Sequence, residues 1–195
     1  MRNAQINRKT NETDITLTLD LDGTGKSETD TGCGFLNHML TLFSKHGRFD
    51  LSVKCIGDTD VDYHHTTEDI GIALGQAFMK AVGDKKGINR YGYMILNMDE
   101  SVILSSVDIS GRSELIYKLN IPDSSVGTFD TQLVKEFFAG FVRSFPISLY
   151  IKQLEGENTH HIIEGAFKSV SRSLKQAVAI DVRFTDEIPS TKGVL

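Results

Sequence analysis

The sequence is poor in tryptophan, proline and cysteine. It has no tryptophan, three prolines and two cysteines among 195 residues. Cys33 and Cys55 are too few for a disulfide scaffold, which favours a reducing, cytoplasmic setting. The longest apolar run, Phe137 to Val142, is too short to cross a membrane, and no apolar signal segment follows Met1. We therefore expect neither secretion nor membrane insertion.

An excess of basic charge is also missing. Lys and Arg number 21 against 26 Asp and Glu, which gives a net charge of −5. Nucleic-acid binding needs clustered Lys and Arg to displace counterions, so we expect no nucleic-acid partner and instead a small molecule. The 39% apolar and 24% charged residues are typical of a soluble globular protein. No Pro-, Gly- or Ser-rich linker divides the chain, which predicts a single domain over 1–195.

An internal repeat organises this domain. His64-His65-Thr66-Thr67-Glu68 returns 96 positions later as His160-His161-Ile162-Ile163-Glu164. Lys80-Ala81-Val82 matches Gln176-Ala177-Val178 at the same offset. We interpret the chain as two diverged copies of one unit, with halves of approximately 1–95 and 96–195.

Hydrophobic periodicity predicts mixed strands and helices in both halves. Alternation favours strands, and each repeated motif starts a long helix. The first half also predicts a helix over 37–45, capped by Asn37 and stopped at Gly47, and the second a helix from a cap at Asp130 to about Phe145. The predicted strands are 13–21, 49–56, 102–108, 114–119 and 147–153. The expected fold is α+β, with two β-β-α-β-α half-units whose helices pack on one face of each sheet.

The repeated motif carries metal-ligand chemistry. On a helix, i, i+4 spacing places His64 beside Glu68, and i, i+3 spacing places His65 there too. Imidazole nitrogen with carboxylate oxygen suits Mn, Fe, Co or Zn. One copy alone is more simply a surface His–Glu pair, but two copies in register favour a pair of metal sites. His38 is a further candidate ligand, or an ordinary half-buried histidine, and His46 equally fits a helix C-terminus.

The chain resembles the imidazoleglycerol-phosphate dehydratases of histidine biosynthesis. The resemblance extends over nearly the whole sequence. It rests on the two His-His-x-x-Glu motifs and on the segments 8–13, 34–40, 46–51, 57–58, 83–92, 98–100, 110–112, 156–158 and 189–193.

The resemblance implies a reaction and an assembly. The reaction is dehydration of D-erythro-imidazoleglycerol phosphate to imidazole-acetol phosphate, with two Mn²⁺ per active site. Because the carbon that loses its proton is not next to a carbonyl, a lone carboxylate base faces a very large barrier. An imidazolate held between two cations would expel the adjacent hydroxyl through a diazafulvene-like intermediate. The resemblance also implies a homo-oligomeric shell of 24 subunits with metal sites at subunit contacts.

The resemblance also assigns residues. Glu12 and Asp99 are expected to serve catalysis together with Glu68 and Glu164, and Glu100 to hold or polarise the site. Without the resemblance, Glu12 is simply a solvated strand glutamate. The expected substrate contacts include Glu12, His38 and His46. The residues expected to bind the substrate phosphate are Arg90, Arg112, Ser190 and Lys192. The expected metal ligands are His38, His64, His65, Glu68, His160, His161 and Glu164.

The sequence departs from the family pattern at two positions. Tyr150 stands where the resemblance implies a further His ligand, and Tyr63 stands where it implies an Asp that orients a ligand imidazole. We therefore expect one metal to be held more weakly. The polar tail, residues 184–195, is expected to be flexible until phosphate or a neighbouring subunit orders it.

Two rival interpretations are consistent with the motifs. A ferritin-like di-metal bundle also sets Glu and His three apart, but it needs four long helices, and the predicted strands oppose it. A non-enzymatic assembly protein would use the His and Glu sets only to join subunits, which leaves Arg90, Arg112 and Lys192 without a ligand.

Overall fold

Two four-stranded sheets enclose four helices in the computed structural model, which describes residues 2–195. The strands are β1 (Asn3–Lys9), β2 (Thr13–Asp20), β3 (Ser27–Asp30), β4 (Asp50–Gly57), β5 (Tyr91–Met98), β6 (Ser101–Asp108), β7 (Glu114–Lys118), β8 (Ser125–Val126), β9 (Phe129–Asp130) and β10 (Ser148–Glu155). The helices are α1 (Gly34–Gly47), α2 (His64–Val82), α3 (Leu133–Ser144) and α4 (Thr159–Val178).

The two sheets have the same topology. The first has the order β1-β2-β4-β3 and the second the order β5-β6-β10-β7. In each sheet the last pair is parallel, β3 with β4 and β7 with β10, and the other pairs are antiparallel. The short hairpin β8-β9 belongs to the second half only. The α+β class and the duplicated half-units are therefore confirmed.

The helices lie between the sheets because one face of each sheet is apolar. In β2, Ile15, Leu17 and Leu19 are buried, while the side chains between them point outward to solvent. Helices α1 and α2 pack on the first sheet, α3 and α4 pack on the second, and the layers meet through α2–α3 and α1–α4. Phe78 of α2 stacks edge-on against Phe141 of α3 at 5.4 Å between ring centroids. One hydrophobic core thus serves both halves.

Glycines bring α2 and α3 unusually close. A Cβ on Gly71 would lie 2.3 Å from the carbonyl oxygen of Phe137, and one on Gly75 would lie 2.4 Å from that of Phe141. From the other side, a Cβ on Gly140 would lie 2.8 Å from the carbonyl oxygen of Glu68. Only residues without a side chain allow this approach. It places α3 directly beside the first His/Glu motif.

The structure corrects several details of the prediction. Within residues 2–195, the first half contains two strands outside the predicted ranges, β1 and β3, and the second half contains three, β5, β8 and β9. Asn37 does not cap α1, which begins at Gly34 after Cys33; its Oδ1 instead accepts hydrogen bonds from the backbone N and the hydroxyl of Thr31. Asp130 precedes the cap of α3, which begins at Leu133, and its side chain accepts from Gln132 in the preceding turn.

The mixed architecture excludes the ferritin-like rival. Four helices of 12 to 20 residues are present, but they are covered by two sheets instead of forming a free bundle. Across residues 2–195, none of the helices has the length and hydropathy that crossing a membrane requires.

Candidate active site

The second His/Glu motif occupies the first turns of α4. Asn158 caps this helix, because its Oδ1 accepts a hydrogen bond from the backbone N of His161 at 3.1 Å. The cap fixes the direction in which His160 and His161 leave the helix. Glu164 follows one turn later and is only 7% exposed. A helix start thus holds three ligand-type side chains at the edge of the core.

His38 of α1 completes a three-residue cluster with this motif. Its Nε2 lies 3.2 Å from Oε2 of Glu164, and Nε2 of His160 lies 3.3 Å from the same oxygen. All three ligand atoms lie within 4.8 Å of one another. In the described part of the chain, this is the one group of three or more potential ligands. The α1–α4 contact therefore creates a candidate cation site.

The charge of Glu164 is supported by a lysine one turn along α4. Lys168 donates to Oε1 of Glu164. Burial opposes ionisation of this carboxyl, but the hydrogen bond and charge of Lys168, followed by the hydrogen bond of His38, lower its pKa below the ordinary value. Glu164 is thus held as a carboxylate, the form that binds a metal.

The first motif, on α2, is arranged differently. Nε2 of His64 lies 3.8 Å from Oε2 of Glu68, too far for a hydrogen bond. Arg143 of α3 pairs with the other oxygen of Glu68. Because α3 approaches α2 so closely, this arginine reaches the motif. The first set is thus an incomplete site within one chain, and an arginine already occupies its carboxylate.

The second histidine of each motif faces two carboxylates. Nδ1 of His65 lies 2.9 Å from Oδ2 of Asp58, and its Nε2 lies 3.6 Å from Oε1 of Glu12. Correspondingly, Nδ1 of His161 lies 2.8 Å from Oε2 of Glu100, and its Nε2 lies 3.8 Å from Oδ2 of Asp99. Glu12 follows β1 in the hairpin to β2, and Asp99 and Glu100 lie in the hairpin from β5 to β6. The duplicated fold therefore brings equivalent hairpins to equivalent histidines.

These contacts shift each pKa in the direction that favours the charged form of the group. The hydrogen bond to Asp58 raises the pKa of His65, and the hydrogen bond to Glu100 raises the pKa of His161. The hydrogen bond from His161 and the backbone N–H of Asn158 lower the pKa of Glu100 to about 2. A carboxylate on Nδ1 leaves Nε2 as the atom available to a metal.

The four residues that are expected to bind the substrate phosphate line one cavity. Arg90, Arg112, Ser190 and Lys192 line a space of about 650 Å³ whose described lining contains no Asp or Glu. Arg90 is already engaged, since its Nε donates to Asp108 at 2.7 Å and its Nη1 donates to the carbonyl of Pro189 at 2.9 Å. Arg112 is largely exposed, with 67% of its side chain accessible. The cavity is therefore a cationic site in which Arg112 and Lys192 are the freer donors.

The remaining expected residues are not members of the three-ligand cluster. His46, at the end of α1, is half-buried, and burial together with the charges of Lys168 and Arg172 lowers its pKa. Tyr63 precedes α2. Tyr150 alternates with the buried Leu149 and Ile151 in β10, so it faces away from the helices, and this chain does not bring it to the cluster.

Three side chains at the motifs were not anticipated as partners. Lys168 could have been found, because i, i+4 spacing after Glu164 is a helix-pair signal. Asp58 and Arg143 carry no such signal, since a loop and another helix bring them to His65 and Glu68.

Comparison with known proteins agrees with this architecture. The sequence model of the family described as imidazoleglycerol-phosphate dehydratase matches residues 31–174. A protein of that name from Desulforamulus reducens is 55% identical over 194 residues, covering 100% of this chain and 98% of the relative. One from Prochlorococcus marinus is 53% identical over 194 residues, covering 100% and 96%.

Solved structures give the same result. The crystal structure of imidazoleglycerol-phosphate dehydratase from Staphylococcus aureus superposes with a TM-score of 0.84 at 41% identity, covering 92% of this chain and 99% of that one. The Pyrococcus furiosus structure superposes with a TM-score of 0.84 at 38% identity, covering 97% and 100%.

The duplicated α+β fold with a His/Glu set in each half defines an enzyme of the hydro-lyase class. The chain belongs to the imidazoleglycerol-phosphate dehydratase family.

Proposed function

We propose that this chain dehydrates D-erythro-imidazoleglycerol phosphate to imidazole-acetol phosphate in histidine biosynthesis, with two Mn²⁺ per active site. The observation that carries the proposal is the convergence of His38, His160 and Glu164 within 4.8 Å, in a chain of this family. Two imidazole nitrogens and one carboxylate oxygen form a donor set that suits Mn²⁺. When bound, the metal supplies a template and a Lewis acid.

The proposed ligands divide into two sets, and each set takes side chains from both halves. His38, His160 and Glu164 would hold one ion, and Glu164 needs no rearrangement because Lys168 already maintains its charge. His64 and Glu68 would contribute to the other, together with the second histidines, His65 and His161. Glu68 must first give up its pairing with Arg143. The second ion is therefore the more weakly held one.

Proton transfer falls to the hairpin carboxylates. The reaction breaks one C–H bond and the neighbouring C–O bond and releases water. The enol that remains gains a proton at carbon and loses its O–H proton, which gives the ketone. Glu12 lies 3.6 Å from His65, and Asp99 lies 3.8 Å from His161, so each is a carboxylate beside a proposed ligand. We assign removal of the proton from carbon to Glu12, which lies beside His65. Asp99, which lies beside His161, would assist.

The phosphate end of the substrate would occupy the cationic cavity. Arg112 and Lys192 would contact the phosphate oxygens, with the hydroxyl of Ser190 beside them. Arg90 would chiefly shape the site, because Asp108 and the Pro189 carbonyl already take its donors. His46 would contribute a neutral imidazole near Lys168.

An active site shared between subunits completes the proposal. The set on α2 lacks a third converging ligand in the described residues of one chain, which supports a homo-oligomer, with 24 subunits proposed and sites at the contacts. The working compartment proposed is the cytoplasm.

Product analysis tests the function. Protein loaded with Mn²⁺ is incubated with imidazoleglycerol phosphate, and the expected product is the keto compound lacking one water. Arg112→Met should raise KM for this substrate by about tenfold, because an arginine–phosphate contact is lost. Arg183→Met, which removes an exposed arginine paired with Asp181, is the matched control. Unchanged substrate with folded, metal-loaded protein would instead favour the assembly-protein interpretation.

A further inference from the structure

Lys85 is a buried lysine in the loop of residues 83–90 between α2 and β5. It is 7% exposed and adopts a left-handed backbone conformation with φ of 63°. Its Nζ donates a hydrogen bond to the main-chain carbonyl oxygen of Leu195 at 3.0 Å. The residue also lines the cationic cavity with Arg112 and Lys192.

The environment of Lys85 differs from that of Lys168, a half-buried cation on α4. Lys168 pairs with the side-chain carboxylate of Glu164, whereas Lys85 donates to a main-chain oxygen of Leu195. Burying an ammonium group is costly unless an acceptor oxygen compensates it. The compensation that the structure provides is the carbonyl of Leu195, in a tail that is distant in sequence.

The tail is held on its other side by Gly111. This glycine has φ of 72°, and a Cβ on it would lie 2.9 Å from the carbonyl carbon of Leu195. Leu195 therefore contacts both Lys85 and the backbone of Gly111. Its position requires a residue without a side chain on one side and a long donor on the other.

The segment before Leu195 carries Ser190 and Lys192, two of the residues proposed to bind the phosphate. It forms a turn in which the N–H of Gly193 donates to the carbonyl of Ser190 at 3.0 Å, and the N–H of Lys192 donates to the Ser190 hydroxyl at 3.2 Å. Arg90 holds the carbonyl of Pro189 at the start of this turn. Lys85 and Arg90 therefore hold opposite ends of the segment that presents Ser190 and Lys192 to the cavity.

We propose that Lys85 is a positioning residue for the phosphate site, which acts by fixing the tail through Leu195 and not by touching the phosphate. This inference rests on the proposed function for its kinetic consequence, but the ordering of the tail by Lys85 does not depend on turnover. Its loss should raise KM for the phosphorylated substrate by about tenfold, with a smaller change in kcat, because Ser190 and Lys192 are no longer held in place.

Hydrogen exchange of the assembled protein in phosphate-free buffer tests the proposal directly. The reporters are the amides of Lys192 and Gly193, which are hydrogen-bonded within the turn. Lys85→Met keeps the length of the side chain and removes the donor, so both amides should exchange at least about tenfold faster. Lys86→Met is the matched control, since Lys86 is an exposed neighbour that pairs with Asp84, and it should leave these rates unchanged.

A second variant disturbs the position of Leu195 from the side of Gly111. Gly111→Ala places a methyl group against Leu195 and should accelerate the same amides, even if Lys85→Met fails to fold. Unchanged exchange in the folded variants overturns the proposal. A weaker affinity for inorganic phosphate in Lys85→Met, without faster tail exchange, overturns it too, because that result would assign Lys85 a direct contact. If the amides respond but no variant or parent protein dehydrates the substrate, the proposed function fails and the positioning role stands.

Discussion

The two halves of the molecule carry the same motif but not the same site. On α4, Glu164 is buried and contacts His38, His160 and Lys168. On α2, Glu68 is more exposed, lies 3.8 Å from His64 and pairs with Arg143. The motif spacing is identical in both helices, so the difference comes from the neighbouring helix. Helix α1 presents a histidine to α4, whereas α3 presents an arginine to α2.

The difference teaches that a repeated motif specifies a pair of ligand-type side chains but not the group that completes a cluster. The i, i+4 spacing sets His and Glu on one helix face, but the third group comes from whichever element packs alongside. The set on α4 is therefore completed by a histidine from the other half of the chain, whereas the set on α2 gains no third ligand-type side chain from the residues described.

The largest expected effect is on the set on α4. Glu164→Gln should lower turnover by about a thousandfold or more and remove the more tightly bound Mn²⁺, because it takes away the charged ligand of the cluster. Metal content after dialysis and kcat are the measurements. Glu157→Gln, in the exposed loop before α4, is the control. If Glu68→Gln instead lost the more tightly bound metal, the order of the two Mn²⁺ affinities would be the reverse of the one proposed.

The next effect concerns the glycines that bring α3 to α2. Gly71→Ala should destabilise the protein by about 1–3 kcal/mol, because its methyl group would lie 2.3 Å from the Phe137 carbonyl and would push the helices apart. Chemical unfolding of the metal-free protein measures this change. Gly34→Ala, where a Cβ meets nothing within 4 Å, is the matched substitution and should be nearly neutral. Equal stability of the two variants would show that the close approach is not tight.

A smaller effect is expected at the arginine. Arg143→Met frees Glu68 from an exposed ion pair and should tighten the weaker Mn²⁺ by about two- to fivefold, the range expected from breaking such a pair. Calorimetric titration of metal-stripped protein distinguishes the two affinities. Lys135→Met, an exposed lysine on the same helix, should change neither. Weaker binding in Arg143→Met would mean that the arginine orients the carboxylate for the metal.

The smallest expected effect is a pH dependence of the metal-free protein. Because the folded pKa of His161 is raised, its pairing with Glu100 stabilises the fold below about pH 6.5, the ordinary histidine value, and is lost as the pH rises through the folded pKa. The lowered pKa of Glu100, about 2, contributes stability above its ordinary value of 4.5 that is lost as the pH falls towards 2.

Glu100→Gln should therefore lower Tm slightly between about pH 4.5 and pH 6.5 and by less at high pH, where the hydrogen bond from the Asn158 backbone N–H remains. Glu155→Gln, an exposed glutamate at the end of β10, is the control. A larger Tm difference at pH 9 than at pH 6 would contradict the assigned pairing.

Local patterns predicted the central elements but not the sheet edges. Strong alternation in β2 and the motifs of α2 and α4 carried enough signal. By contrast, β3 (Ser27–Asp30) has no hydrophobic residue at all, and β5 exposes Tyr91, Tyr93 and Ile95 on its outer face while it buries Gly92. Such edge strands owe their conformation to pairing with a neighbour and not to their own sequence.

In the candidate site, too, local sequence predicted some features and tertiary contacts determine the rest. The ligand types and the His38 candidate came from the sequence, because helix spacing and family motifs encode them. The carboxylates on Nδ1 of His65 and His161, the arginine on Glu68 and the lysine beneath the tail required the tertiary structure, since loops and separate helices bring them together.

The most direct test of the central claim is a titration of Mn²⁺ into metal-stripped protein with imidazoleglycerol phosphate present, with bound metal and keto product measured together. We expect no product without metal, little product with one ion per chain, and a maximal rate at two ions per chain. Product formed at full rate by metal-free protein, or no product from folded protein carrying two Mn²⁺ per chain, would contradict it.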